Sequence, residues 1–238
     1  MNIVDYVVIG VVGLSILFGF YRGFVASVLN MGGCLLSFLL SFLLYPKLAD
    51  IIRGDTELVR TLLHYTDASS RIGDLELAIT NVATMTREGI AELVGKVTLP
   101  APFDMLLQIN LENMAFAPEG VTTVADYVSQ TILNASINIL CCVVCFAALF
   151  LVSSILFAAI KAIFRFPVLK QLDWLAGGVF GFLRGLLISY ALFAIVPLVL
   201  TVVPVDFVAQ MLDESTLAPI FNNGNLIMAI MNGGIELF

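Results

Sequence analysis

Phe180-Gly181-Phe182-Leu183-Arg184-Gly185-Leu186 decides how this chain is read, because an earlier stretch, Phe18-Gly19-Phe20-Tyr21-Arg22-Gly23-Phe24, repeats its form. In both, an arginine stands between glycines inside apolar sequence, with an aspartate upstream, Asp5 for the first and Asp173 for the second. Each stretch adjoins an apolar run long enough to cross a bilayer, which takes roughly 20 residues. An ionisable side chain at membrane depth costs about 3 kcal/mol or more. Two of them in matching contexts mark positions that the protein uses.

The composition extends that reading to the whole chain. Of 238 residues, 60% are hydrophobic and 12% charged, against roughly 45–50% and about 25% in a soluble domain. The excess falls into membrane-length runs, which defines an integral membrane protein. A net charge of −7 argues against a nucleic-acid partner. Cys34, Cys141, Cys142 and Cys145 all lie within apolar runs, so they read as buried thiols and not as a disulfide framework. Met1-Asn2-Ile3-Val4-Asp5 carries no basic side chain, so the first apolar run is expected to stay in the mature protein.

Four spans are expected, at about Ile3 to Phe20, Phe24 to Tyr45 (stopped by Pro46), Ile132 to Ile163, and Leu175 to Val203 (ended by Pro204). The predicted fold class is therefore all-α, a polytopic membrane protein with four transmembrane helices in a compact bundle. Its predicted parts are a hairpin over residues 1–45, a helical insertion over 46–131, a second hairpin over 132–203 and an amphipathic tail over 204–238. Gly23 provides a tight link between the first two spans, and Arg165 to Leu172, with Pro167, links the last two. Arg22 lies in the first short turn and Lys161, Arg165 and Lys170 lie in the second, so both turns are expected to face the cytoplasm. The termini and residues 46–131 are then extracytoplasmic. Their acidic balance agrees: six Lys/Arg against twelve Asp/Glu from Lys47 to Asp126, and four acids with no base from Pro204 onward.

Within the insertion, Ile72, Leu75, Ile79, Val82, Ile90, Leu93, Val94 and Val97 recur at helical spacing and predict an amphipathic helix ended by Pro100 and Pro102. Further helices are expected over Lys47 to Leu63 and Phe103 to Met114. In the tail, Leu217, Ile220, Phe221, Leu226, Ile227, Ile230 and Met231 suit a membrane surface or a cap on the bundle. A helical cap without a ligand is the simplest reading of the insertion.

Small residues every four positions let membrane helices approach closely, where hydrophobicity cannot draw them together. Gly177, Gly181 and Gly185 do so on the fourth span, Gly19 and Gly23 on the first, Gly33, Ser37 and Ser41 on the second, and Ser154, Ala158 and Ala162 on the third. Asp173 and Arg184 are eleven residues apart, about 16 Å along a helix, and cannot pair directly. An Arg22–Asp173 ion pair across the turns is geometrically reasonable. Arg184 lies deeper and should snorkel, reach Asn30 or a backbone carbonyl, or line a wet cavity. Structurally, both arginines would merely fix topology and packing.

Cys142-Val143-Val144-Cys145 has redox and metal spacing, yet it lies mid-span without a nearby histidine or base to lower a thiol pKa. His64 is the single histidine, which makes neither a metal site nor a triad. Asn134-Ala135-Ser136 matches a glycosylation acceptor beside a span. No phosphate loop or nucleophile elbow is present. No catalytic, cofactor-binding or metal-ligating residue is expected, and the chain does not read as an enzyme.

Asn2-Ile3-Val4-Asp5-Tyr6 followed by Arg22-Gly23-Phe24-Val25, and Leu172-Asp173 followed by Gly178 and Phe180-Gly181-Phe182-Leu183-Arg184-Gly185-Leu186-Leu187-Ile188, together resemble the colicin V production protein (CvpA) family of bacterial inner-membrane proteins. Ser215-Thr216-Leu217-Ala218-Pro219 is similar to that family's short tail motif. Two departures stand out. Ala26 and Ser27 replace an acid that often follows the first block, and Trp174 replaces an arginine common after the aspartate. The long insertion lies outside the resemblance, which covers a little over half of the chain.

The resemblance implies a role in toxin (bacteriocin) production or secretion, or in envelope homeostasis, without a reaction or cofactor. It carries over Asp5, Arg22, Gly23, Asp173, Gly181, Arg184 and Gly185 as a motif set. Expected partners are the lipid bilayer, export or envelope membrane proteins, and a second copy of the chain. Two alternatives compete: a small channel or transporter whose intramembrane arginines line a polar path, and a membrane thiol oxidoreductase using Cys142 and Cys145.

Overall fold

A computed structural model describes residues 2–65, 72–100, 102–163, 170–202, 210–212, 214–222, 228 and 230–232. These residues form helices and turns, with two isolated bridges, Ile72–Val97 and Asn81–Thr123, and no strand among them. Four helices are long and apolar enough to cross a membrane: Ile3–Arg22, Phe24–Gly54, Val124–Ala159 and Asp173–Leu200. Leu17, Leu39, Leu43, Leu151, Ile155 and Leu156 are exposed on them, as side chains solvated by lipid are. The all-α, four-span membrane class expected from the sequence is the class observed.

The chain divides into two compact units, each described by itself. The first comprises Met1–Tyr45, Cys142–Ile195 and Asp206–Gly224; the second comprises Pro46–Cys141, Val196–Val205 and Asn225–Phe238.

In the first unit, α1 (Ile3–Arg22) starts at a reciprocal cap. The Asn2 side chain accepts from the Val4 and Asp5 amides, and the Asp5 carboxylate accepts from the Asn2 amide at 2.9 Å, which satisfies donors that a helix start leaves open. The helix stops at Gly23, whose φ of 79° suits a residue without a Cβ. α2 (Phe24–Gly54) begins at the next residue, so one glycine makes the turn. Ser27 ties the two helices together by donating to Gly19 O at 3.2 Å.

α2 does not stop at Pro46 as expected but runs through it to Gly54. Proline removes one N–H and crowds one carbonyl, which kinks or breaks a helix; here it is accommodated. α7 (Val124–Ile163) also starts earlier than expected. Thr123 Oγ1 caps it, accepting from the Asp126 amide at 3.2 Å while donating to the Asp126 carboxylate at 2.6 Å. The fourth span, α8 (Lys170–Phe193), breaks earlier than its expected end. A turn at Ala194 and Ile195 separates it from a short helix, Val196–Val202. Pro197 explains the position, since its ring would clash with the carbonyl four residues back, on Phe193. Of the expected linker from Arg165 to Leu172, residues 165–169 lie outside the described residues and residues 170–172 already belong to α8. The expected stop at Pro204 also lies outside the described residues.

In the second unit, one long amphipathic helix was expected around Ile72 to Val97, and several short ones form instead. These are α4 (Leu75–Ala78), a 3-10 turn over Val82–Thr84, and α5 (Arg87–Lys96). Three short polar side chains impose the breaks. Asp74 accepts from Glu76 and Leu77, Asn81 from Ala83, and Thr86 from Gly89, each offering the backbone a cap in place of a continuing helix. Likewise the helix expected over Lys47 to Leu63 is split at Gly54. Asp55 caps α3 (Thr56–Tyr65) by accepting from Glu57 and Leu58. α6 (Phe103–Glu112) forms where expected. It packs on α5, and Leu93, Phe103, Leu107, Leu111, Tyr127 and Ile132 make a fully or almost fully buried core.

Candidate functional site

The motif residues gather along one antiparallel seam between α1 and α8. A Cβ on Gly19 would strike the Gly177 carbonyl, and one on Gly177 would strike that of Gly19. A Cβ on Gly181 would lie 2.5 Å from Ser15 O, and one on Gly185 2.9 Å from Val12 Cα. The neighbours are backbone atoms, which cannot swing aside as a side chain can. The expected stacking of Gly177, Gly181 and Gly185 is therefore a contact face, and its partner is α1. The small-residue face expected on the third span is different: Ser154 and Ala158 are exposed. Ser153 instead meets α2, with Ser37 and Ser153 hydroxyls 2.9 Å apart, and a Cβ on Gly33 would meet the Phe157 ring at 2.7 Å. The face is shifted by one residue.

Asp5 stands near the start of α1 with a solvent exposure of 0%. Its Oδ1 accepts from the Ser215 hydroxyl at 2.6 Å and from the Leu217 amide at 3.0 Å. Ser215 Oγ in turn accepts from the Ala218 amide at 3.0 Å, and the Asn2 side chain donates to Met211 O. The opening block and the tail motif, more than 200 residues apart in sequence, are thus one hydrogen-bonded cluster. The short helix Ala218–Asn222 follows. Its Phe221 stacks on Phe193 with ring centroids 5.1 Å apart, and Tyr190 donates to Ile220 O at 3.2 Å. Leu226 and Ile227 lie outside the described residues.

Asp173 stands near the opposite end of the seam. The expected Arg22–Asp173 ion pair does not form. Asp173 Oδ1 accepts from the Phe24 amide at 2.6 Å, and Gly23 leaves room for that carboxylate. The Phe24 amide opens α2 and has no partner within the helix, while the helix dipole favours an anion there. Arg22 instead holds its guanidinium 5.8 Å from the Phe18 ring centroid. Trp174, the departure noted beside Asp173, stacks on Phe20 at 4.6 Å, and Phe20 also fills the space beside Gly178.

Beside the seam, Arg22 and Arg184 line one cavity of about 230 Å³ together with Asn30, Gly33, Ser153 and Phe157. Of the fates expected for Arg184, lining a cavity is the one observed. Cys142 is buried and Cys145 half-buried, and none of the four cysteines is in a disulfide.

Sequence reasoning missed a second polar cluster, in the other unit. Arg53 donates through Nε to Asn134 at 3.0 Å, through Nη2 to Asn138 at 2.5 Å and through Nη1 to Asp50 at 3.1 Å. Asn138 donates to Met231 O at 2.9 Å, and a cavity of about 350 Å³ lies among Arg53, Asn110, Thr131, Asn134 and Asn138. Asn134 is held by Arg53 and its neighbours Ala135 and Ser136 are buried, which is not how a glycosylation acceptor is presented. The available signal was the i, i+4 spacing of two asparagines in an apolar helix.

Together the fold and the seam define a polytopic α-helical membrane protein whose polar motif residues serve a helix–helix contact and a cavity beside it. The family described as Colicin V production protein matches residues 4–86 and 114–225, and the chain belongs to that family. The match reaches well into the insertion, further than the motifs alone suggested. A Haemophilus influenzae protein named colicin V production protein homolog is 41% identical over 46 residues, which is 19% of this chain and 28% of that relative. The chain therefore aligns with little more than a quarter of that relative's length. No solved structure matches the chain.

Proposed function

We propose that the protein is a non-enzymatic component of the bacterial cytoplasmic membrane that supports production or export of a peptide toxin or, more broadly, envelope homeostasis, acting through other membrane proteins. The observation that carries this reading is the family match, which includes both arginine blocks and the Ser215–Pro219 motif. The geometry supports a binding and scaffolding role. The seam glycines bring backbones together, and the two motif aspartates serve backbone amides and a hydroxyl. The family's name carries no reaction.

The test is a chromosomal deletion in a strain that secretes a peptide toxin, followed by measurement of toxin in the medium and of detergent sensitivity. Less toxin in the medium or greater detergent sensitivity, reversed by the wild-type chain but not by Gly181→Leu, is the expected result. Normal secretion and a normal envelope in the deletion strain would refute the reading.

A further inference from the structure

The Arg22–Arg184 cavity has a composition that the proposed role leaves unused. Two guanidiniums from different helices share its wall. Arg184 Nε is buried and without a hydrogen-bond partner among the described residues. The ion pairs among the described residues, Arg53–Asp50 and Lys96–Glu92, involve neither arginine. Asp173, the motif acid expected to pair with Arg22, binds the Phe24 amide instead. Two like charges beside one cavity repel each other, and the buried Arg184 Nε lacks its usual hydration. An anion in the cavity relieves both costs.

The kind of anion follows from the donors. A guanidinium offers a rigid fork of N–H groups that matches the oxygens of a phosphate and holds it better than an ammonium does. Asn30 and Ser153 add neutral polar side chains to the same wall. A volume of about 230 Å³ equals the liquid share of roughly eight waters, enough for a phosphate group with part of its hydration. Arg22 is the last residue of α1, at the end of its span. Arg184 is eleven residues into the fourth span, on the order of 16 Å deeper by helical rise. Their shared cavity therefore lies between headgroup level and the bilayer interior.

We propose that the Arg22–Arg184 cavity is a binding site for a phosphate group, supplied by the headgroup of an anionic phospholipid or by a soluble phosphate. The site stands independently of the role in toxin production.

The test uses the full-length protein, delipidated in detergent, with phosphatidylglycerol and inorganic phosphate as probes and chloride as the control. Native mass spectrometry counts retained lipid, and thermal unfolding reports phosphate binding. The wild type is expected to retain phosphatidylglycerol, or to be stabilised by phosphate but not by chloride. Retention of the lipid alone identifies a headgroup site, and stabilisation by inorganic phosphate identifies a site for the free anion. Arg184→Gln and Arg22→Gln should each weaken binding at least about tenfold, the equivalent of 1.4 kcal/mol, with Arg184→Lys between them and the wild type. Arg22 is exposed at a helix end, so its variant stays informative if Arg184→Gln does not fold. A folded Arg22→Gln protein that binds both probes as the wild type does overturns the proposal. So does a wild type that binds neither.

Discussion

Glycine at a given position in these helices is needed only where backbone stands opposite it. A Cβ on Gly10 or Gly13 would meet nothing within 4 Å, whereas one on Gly19 or Gly181 would meet main-chain atoms of the facing helix. Gly19→Ala and Gly181→Ala should therefore force α1 and α8 apart and destabilise the fold by about 1–3 kcal/mol, as overpacking does. Gly10→Ala should be neutral or stabilising by up to about 1 kcal/mol, because alanine is the better helix former. Thermal unfolding in detergent, followed through thiol-dye labelling of buried Cys34, reads this difference. Equal effects at Gly10 and Gly19 would remove the seam. Asp5 tests the other kind of contact. Asp5→Ala leaves the Ser215 hydroxyl and the Leu217 amide without their acceptor, at a cost of about 1–3 kcal/mol for each buried group stranded. A double-mutant cycle with Ser215→Ala should show clear coupling. Additive effects would mean that the opening block and the tail motif are stabilised separately.

At the scale of elements, the informative features are where helices end. α8 stops at Phe193, four residues before Pro197. Pro197→Ala restores an amide and removes the ring, so α8 should extend through Ala194 and Ile195. Hydrogen exchange should then show slower exchange at residues 194–197, and unchanged exchange there would mean that packing, not proline, sets the break. The exposed Glu92–Lys96 pair on α5 has the opposite character. Lys96, by its hydrogen bond and then its charge, holds the Glu92 carboxyl below its usual range, and Glu92 likewise raises Lys96. The glutamate's contribution is present above its unfolded pKa and lost as pH falls through its folded one. The lysine's is present below its unfolded pKa and lost as pH rises through its folded one. Both groups face water, which screens them, so Lys96→Met should leave the melting temperature unchanged at neutral pH. What the sequence showed of these elements follows the same division. Apolar length is a local property, so the four spans could be read directly. The breaks at Asp74, Asn81 and Thr86 could not, because periodicity averages over single capping side chains. Nor could the Arg53–Asn134 and Arg53–Asn138 bonds, whose partners are 81 and 85 residues apart. The motif set itself was legible, but its pairings were not. Asp5 and Asp173 each chose an amide that exists only once the helices have packed.

For the whole molecule, the decisive quantity is the orientation in the membrane. Basic residues in short loops are retained on the cytoplasmic side, and the two short turns carry Arg22 and then Lys161, Arg165 and Lys170. The long segment between the second and third spans has twice as many acids as bases, and the length of such a segment makes its own charge a weak determinant. The turns should therefore dominate, placing the termini and residues 46–131 outside the cytoplasm. Replacing the four native cysteines with serine gives a background in which single cysteines can be introduced at Glu88, exposed on α5, and at Lys170, the first residue of α8. A membrane-impermeant maleimide applied to spheroplasts should label Glu88→Cys at once and Lys170→Cys only after lysis. The reverse pattern would invert the topology and place the α1–α2 turn on the outer side. It would leave the α1–α8 seam intact, because that contact depends on glycine and backbone and not on which side holds the charge. Labelling of both sites without lysis would be the more serious result. An even number of spans separates them in no arrangement compatible with four crossings, so at least one of the four apolar helices would not cross the membrane.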